Sequence, residues 1–351
     1  MDRNKSQQFM LKVVGDVGTA MIANLVLVGD RVGLFRSMAG AGPITSDALA
    51  ERAGIAPRYV EEWLGAMVSA DYVEFDPQEQ TYLLPEEHAL FFSNRDTEYY
   101  LGGLFGGLPL VSAAVPRVIE AFEQGRGIAF ADFGAELPQA LEAMNRPVYE
   151  RRLVDVWLAT MPEVVERLRA GGRAMDIGTG TGIVPILLAK AFPQAWVGGL
   201  DIDARSIEIA RAQAAQAGVG DRVHLQCAGV DEMQADAPFD FVSTFDCVHD
   251  LPDPLGALQR IRDRLADGGV YLMVEPKVSD RLEENRNPFG RMLYGISCLH
   301  CVPQALAQGG PGLGACWGPA RARALASEAG FSRFDLLPIR SPAQAFYALR
   351  A

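Results

Sequence analysis

Ala174-Met175-Asp176-Ile177-Gly178-Thr179-Gly180-Thr181-Gly182 decides how this chain is read. Its first four residues predict a strand. Three alternating glycines predict a tight turn, and residues 182–192 predict a helix. Glycines let the backbone bend sharply and approach a ligand closely. The helix N-terminus behind them offers free N–H groups and a positive dipole end to an anionic group. Outward from this stretch, strands and helices alternate. Residues 196–200, 223–227, 239–245 and 269–275 read as strands, and 204–217, 254–265 and 319–329 as helices. A strand pair, 334–339 and 344–349, closes the chain. This alternation predicts a mostly parallel α/β sheet covered on both faces, Rossmann-like in plan.

Two details separate the loop from a dinucleotide site. The dinucleotide pattern is G-x-G-x-x-G; here the third glycine comes one residue early and Ile183 follows it. Asp176 also stands two residues before the first glycine. An acidic residue there suits a cationic ligand end, such as the amino group or sulfonium side of S-adenosyl-L-methionine. Gly199-Leu200-Asp201 ends the second strand, 19 residues after Gly182. A carboxylate at that place can accept hydrogen bonds from both ribose hydroxyls, whereas Asp203 reads as the N-cap of the next helix.

Phe245-Asp246-Cys247-Val248-His249-Asp250-Leu251-Pro252-Asp253-Pro254 follows the fourth strand. Ligands in open α/β sheets bind beyond the carboxyl ends of strands, so this loop faces the same crevice. His249 is the first candidate general base, work typically worth ~10²–10⁴-fold, with His300 and Glu275 as pocket partners. The alternative is a histidine that packs on the cofactor or orders the loop. Methyl transfer from a sulfonium depends above all on alignment.

The first 90 residues read differently. Phe9, Val13, Val17, Ala20, Met21, Asn24, Leu25 and Val28 recur at helical spacing. Thr45 is a plausible N-cap, and the helix it opens stops at Gly54. Pro57 suits the first position of another helix, which carries Val60, Trp63, Leu64 and Met67 on one face. Residues 71–84 read as a short hairpin turning at Asp76-Pro77. Helix, turn, helix, hairpin is the winged-helix plan, whose usual partner is DNA. The charge argues against that partner. Residues 1–90 hold seven Lys and Arg against 13 Asp and Glu, a net of −6, and the whole chain is at −12. DNA readers are basic, so we expect a dimerisation or scaffold role and no nucleic acid.

The expected domains are 1–92 (winged helix), 93–170 (helical linker and substrate lid) and 171–351 (cofactor-binding domain). No secretory pattern opens the chain, and five dispersed cysteines do not suggest a disulfide framework. A cytoplasmic location fits both. Two uncharged runs bear on membranes. Residues 17–29 are too short to span one. Residues 99–116 hold Gly102, Gly103, Gly106, Gly107, Pro109 and Pro116, poor helix composition, and read as a buried or pocket-lining segment. No membrane partner is expected.

With these pieces in place, the chain resembles the class I S-adenosylmethionine-dependent methyltransferases that carry an N-terminal winged-helix, dimerisation-type domain. These include bacterial enzymes of small-molecule and natural-product methylation, similar in layout to plant-type O-methyltransferases. The resemblance rests on Gly29 to Phe35, Ile44 to Gly54, Arg58 to Leu64, the glycine loop, Gly199 to Asp203, and Asp246 to Pro254. It implies a seven-stranded sheet with one antiparallel strand and a homodimer. It also implies cofactor contacts at Asp176, Gly178, Thr179, Gly180, Gly182, Asp201, Ile202, Phe245 and Asp246. Many relatives place an acidic residue after the third strand, near the adenine amino group. Ala228-Gly229 fills that place here, so the adenine contact falls to backbone or to Asp231.

Residues 292–320 contain no Lys, Arg, Asp or Glu and carry glycines at 309, 310, 312 and 314. Such a stretch reads as a pocket lid over a largely apolar acceptor, or as a packed interface. Cys298-Leu299-His300-Cys301 is half a tetrahedral zinc site, two ligands short. Cys316 and His249 are not patterned to complete it, and no metal is expected. The reading that follows is methyl transfer to a small organic acceptor, at oxygen first and at carbon or nitrogen as alternatives. Its rivals are a ligand-sensing DNA-binding regulator and a non-methylating enzyme that uses the cofactor electrostatically.

Overall fold

Seven strands form the sheet that the alternating pattern predicts. A computed structural model describes all residues, Met1–Ala351. A small hairpin pairs β1 (Glu74–Asp76) with β2 (Thr81–Leu83). The main sheet contains β3 (Arg173–Ile177), β4 (Trp196–Asp201), β5 (Val223–Cys227), β6 (Phe239–Phe245), β7 (Leu265–Pro276), β8 (Arg333–Leu336) and β9 (Gln344–Arg350). Their order is β5-β4-β3-β6-β7-β9-β8. β9 runs antiparallel to both neighbours, while the other pairs are parallel. The order reverses between β3 and β6, the switch point beside which a ligand crevice opens in such sheets. The sheet core is largely apolar sequence, as a two-sided sheet requires. Met175, Ile177, Val242, Phe239, Tyr271 and Met273 are fully buried in it.

The chain divides into two compact units. One is Met1–Pro109 with Ala143–Val148; the other is Leu110–Glu142 with Tyr149–Ala351. The first carries the winged-helix plan. Thr45 caps helix Ser46–Ala53 through Ala48 N–H, and Gly54 ends it in the left-handed conformation. Helix Pro57–Ser69 buries Val60, Trp63, Leu64 and Met67, the face that the spacing picks out. Trp63 donates its indole N–H to the Leu25 carbonyl at 2.9 Å. Its ring lies where a Cβ on Gly29 would stand, 2.4 Å away, so only glycine admits this packing. Phe35 stacks on Phe92 at 4.6 Å and meets Trp63 edge-on at 5.0 Å.

Three segments differ from what their composition predicts. The uncharged run 17–29, by itself too short to span a membrane, is only part of its helix. It lies inside one helix, Arg3–Val32, long and apolar enough to cross a membrane. Asp2 caps the helix, and Lys12 pairs with Asp16 one turn on. Polar residues therefore extend the helix instead of ending it. Residues 99–116 are also more helical than their composition suggests. The glycines gather in the turn Gly102–Phe105, and helices Leu108–Ala113 and Val115–Gln124 follow. The uncharged stretch 292–320 is helical over its first half, through Pro288–Ile296, Ser297–Cys301 and Val302–Ala307, and irregular only beyond.

Candidate functional site

The glycine loop leaves β3 and bends under the end of β4. Gly178, Gly180 and Gly182 all have positive φ, at 70°, 51° and 82°. The amides of Gly178 and Thr179 both donate to the Leu200 carbonyl, at 2.9 and 3.0 Å. A Cβ on Gly178 would stand 2.4 Å from Cys247 Sγ, whereas one on Gly180 would meet nothing. The loop is thus clamped at its first glycine and open at its second. Gly182 caps helix Ile183–Ala191, whose free amides follow directly.

Two carboxylates frame this loop. Asp201 ends β4 and accepts from the Gly180 amide at 2.8 Å and the Asp203 amide at 2.9 Å. Burial pushes its pKa up, against those two backbone bonds. Asp203 caps the following helix through the Ser206 amide. Asp176 is almost fully buried and accepts from Ser243 Oγ at 2.7 Å. Its pKa is pushed up to about 7, chiefly by burial. Beyond β4, Ile202 is 53% exposed, unusual for a residue flanked by buried strand. A Cβ on Gly229 would lie 2.5 Å from Asp231 Oδ1 and 4.0 Å from Ile202 Cγ2. Ile202 and Asp231 therefore both lie beside Gly229, beyond the ends of β4 and β5.

β6 delivers the other half. Phe245 ends the strand within an aromatic group, 5.1 Å from Tyr149 and 5.9 Å from Trp157. Asp246 follows in the left-handed region at φ 49°, a strained conformation for a residue with a Cβ and common at functional sites. Its Oδ2 accepts from Gln344 Nε2 at 2.8 Å, and burial pushes its pKa up to about 6. His249 Nδ1 meets Glu275 Oε2 at 2.6 Å, and both side chains are buried. Glu275 also accepts from the Val248 amide and the Trp317 indole N–H, each at 3.0 Å. Asp250 Oδ1 lies 3.4 Å from His249 Nε2. Burial favours the neutral ring, but Asp250 and Glu275 outweigh it and hold the imidazole well above its ordinary range.

Residues 20–94 match the Rv2258c-like winged HTH domain, and residues 149–305 match the Methyltransferase domain family. The chain joins a winged HTH domain to a methyltransferase domain of the class I fold. A Nostoc punctiforme protein provisionally assigned as an O-methyltransferase superposes with a TM-score of 0.71 at 18% identity, covering 97% of this chain and 98% of that one. An O-methyltransferase from neocarzinostatin biosynthesis, solved with S-adenosyl-L-homocysteine and 1,4-dihydroxy-2-naphthoic acid, gives 0.63 at 17% identity over 97% and 98%. In sequence, the release factor glutamine methyltransferase of Agrobacterium fabrum is 30% identical over 182 residues, 46% of this chain and 63% of its own. Across the leading curated relatives the chain spans 19% to 63% of their length.

Within the methyltransferase domain, the loop residues, Asp176, Asp201, Ile202, Asp231, Phe245 and Asp246 all stand at the carboxyl ends of β3 to β6. His249 and Glu275 form one buried pair. His300 does not join it. It packs against Phe133 at 4.6 Å and Phe130 at 6.0 Å. Burial lowers its pKa to about 4, and Nε2 has no hydrogen-bond partner. Sequence reading did not single out Tyr149, Ser243, Gln344 or the Trp317–Glu275 bond. Each depends on a partner at least 42 residues away, and no local pattern marks such a pair.

Proposed function

We propose that this chain transfers the methyl group of S-adenosyl-L-methionine to a small, largely apolar acceptor, at oxygen first. The observation that carries the reading is Asp201, a buried-side carboxylate ending β4 beside an open Gly180 and an exposed Ile202. The residues present fit the cofactor. Asp201 would hold the ribose, Ile202 and Asp231 the adenine, and Asp176 with Gly178, Thr179, Gly180 and Gly182 the amino-acid end. Phe245 and Asp246 would close the site on the β6 side. The bound cofactor supplies an electrophilic methyl group. The protein's own part is alignment and exclusion of water.

His249 is assigned as the candidate base, with Glu275 as the residue that fixes its ring. The Glu275 bond occupies Nδ1, and Nε2, 3.4 Å from Asp250 Oδ1, is the nitrogen left to exchange a proton. His300, neutral and set among aromatic rings, belongs to the pocket wall. An uncharged stretch containing His300 and Trp317 supports an apolar acceptor, and the neocarzinostatin neighbour holds a small aromatic one. Isothermal titration with S-adenosyl-L-homocysteine tests the central claim, and absence of binding removes it. His249→Ala should cost ~10²–10⁴-fold in turnover if the ring moves a proton; undiminished turnover reduces it to packing. Mass spectrometry of cell extract incubated with the protein and isotopically labelled cofactor would show which metabolite gains the methyl group.

We assign residues 1–92 as winged helix, 93–170 as linker with lid, and 171–351 as cofactor-binding domain. The winged unit is assigned to homodimerisation and not to nucleic acid. Arg58, the one basic residue of helix Pro57–Ser69, is paired with Glu61 and Glu62. Phe9, Met10, Val14, Val17 and Met21 of the first helix are all more than half exposed, an apolar face that a second copy would cover. Val14→Glu with Val17→Glu should shift a dimer to a monomer in light scattering. A monomeric wild type, or wild type bound to lipid vesicles, speaks against the dimer. The cytoplasmic assignment rests on the free cysteines.

A further inference from the structure

His300 and Gln304 each hold a buried polar atom without a partner. His300 is 6% exposed, and its Nε2 has no hydrogen bond. Gln304 is partly buried, but its Oε1 is covered and equally unpaired. An unpaired buried atom forfeits the water it gave up on folding, so each calls for an explanation. The two residues stand four positions apart along one run of helix, where Cβ atoms lie about 5–6 Å from each other. A wide turn, Ser297–Cys301, leads directly into helix Val302–Ala307. Single wide turns of this kind inside helices gather at functional sites.

The surroundings are apolar and firmly held. Phe133 and Phe130 pack on the His300 ring, and both belong with Ile128, Leu137 and Leu299 to one apolar cluster. The Ile128 amide donates to the Pro303 carbonyl at 2.9 Å, and a Cβ on Gly127 would stand 1.8 Å from Ala307 N. Backbone therefore presses directly on the helix that carries Gln304. The pair also lies beside the reacting end. Cys301, next to His300, brings its Sγ within 4.8 Å of a His249 ring nitrogen. Burial, helped by the charge of His249, lowers the His300 pKa to about 4. Its ring is therefore neutral at pH 7, with one N–H and one bare nitrogen. Neutral partners in an apolar wall disfavour an ionised ligand group, which would be buried without a counter-charge. A hydroxyl both gives and takes a hydrogen bond. Its oxygen can accept from Nε2–H while its proton goes to Gln304 Oε1, so one group satisfies both atoms.

We propose that His300 and Gln304 form a specificity subsite for a second hydroxyl of the acceptor, separate from the oxygen that takes the methyl group. The acceptor class is then a flat aromatic molecule with two hydroxyls, its ring suited to the Phe130 and Phe133 wall. The inference rests on the methyl-transfer reading and narrows its acceptor. It leaves His249 and Glu275 in the roles already given to them, since His300 and Gln304 bind and orient without moving a proton.

The test is calorimetry on the full chain saturated with S-adenosyl-L-homocysteine, which permits no turnover. Dihydroxynaphthalenes with different hydroxyl spacings are compared with 1-naphthol and 2-naphthol, which lack the second hydroxyl. The best-fitting diol should bind at least about tenfold more tightly than its naphthol, because a site built for a hydroxyl penalises the analogue that leaves its buried atoms unpaired. His300→Phe and Gln304→Leu should each cut that preference to about twofold or less, while naphthol binding stays within about threefold of wild type. Circular dichroism checks that each variant folds. If His300→Phe does not fold, Gln304→Leu alone decides, with the same expected loss. Equal affinity of every diol and its naphthol in wild type, a preference that survives Gln304→Leu, or a variant that weakens diol and naphthol alike overturns the proposal. Titration with S-adenosyl-L-homocysteine alone separates the two levels. Binding of it without any diol preference removes the subsite and leaves the methyl-transfer reading standing. Absence of its binding removes that reading, and the subsite falls with it.

Discussion

The glycine loop and the His249 cluster leave neighbouring strands, β3 and β6, yet they are built from opposite materials. The loop works through backbone. Its amides are tied to the Leu200 carbonyl and the Asp201 carboxylate, and its glycines leave an opening above residue 180. The cluster works through side chains. Glu275 alone accepts from an amide, an imidazole and an indole, and all three donors are buried with it. A backbone site is specified by a few consecutive residues and tolerates water. A buried side-chain network needs every partner present, because each unpaired group carries its full desolvation cost.

Four changes would break or sharpen this contrast. Asp201→Ala should have the largest effect, on binding. On the proposed ribose assignment it would remove two charged acceptor bonds at about 1.5–3 kcal/mol each, or roughly 10²–10⁴-fold in cofactor affinity. Calorimetry showing unchanged affinity would detach Asp201 from the ribose. Glu275→Ala should act on the fold instead. Losing one partner of a buried charged pair costs about 3–5 kcal/mol, read as a lower midpoint in urea. A variant as stable as the parent would mean that the cluster is not a connected network.

The third test is pH. Asp176 has its folded pKa raised from 3.8 to about 7, so it is largely neutral below that value and anionic above it. A cationic amino group on the ligand favours the anion. Cofactor affinity should therefore climb as pH rises from 6 to 8, by at most about tenfold per unit below the midpoint. Stability of the free protein should move the other way. The folded state holds this proton where the unfolded state has lost it, so stability falls as pH rises from about 4 to about 7. A flat affinity profile would remove Asp176 from the ligand. The smallest effect is expected of Ser243→Ala. Its hydroxyl bond favours the anion and is worth about 0.5–1.5 kcal/mol. Losing it should shift the Asp176 midpoint upward by roughly one pH unit or less. A downward shift would mean that Ser243 does not serve the anion.

The same contrast explains what could be read in advance. Thr45 as a cap, Pro57 at a helix start and the four core residues of helix Pro57–Ser69 are local or periodic signals, and the structure reproduces them. The strand ends at Ile177 and Asp201 follow from hydrophobic runs that stop at a glycine turn or a helix cap. The misreadings have one cause. Helix Arg3–Val32 runs through polar positions, and the helices Leu108–Ala113 and Val115–Gln124 lie next to a glycine-rich turn. Composition averaged over a window hides where a breaker falls within it.

By itself, the sequence determined the order of strands and helices, the glycine turn and the two carboxylates that frame it, because each is set by residues within one turn or one strand of each other. Only the tertiary structure decided that Glu275 would hold His249, that Trp317 and Val248 would hold Glu275, and that Cys301 would arrive beside Asp250. Those meetings are fixed by the β6–β7 pairing and by how the segment 297–317 packs on it. Burial then gives each contact its strength by removing the water that would otherwise compete.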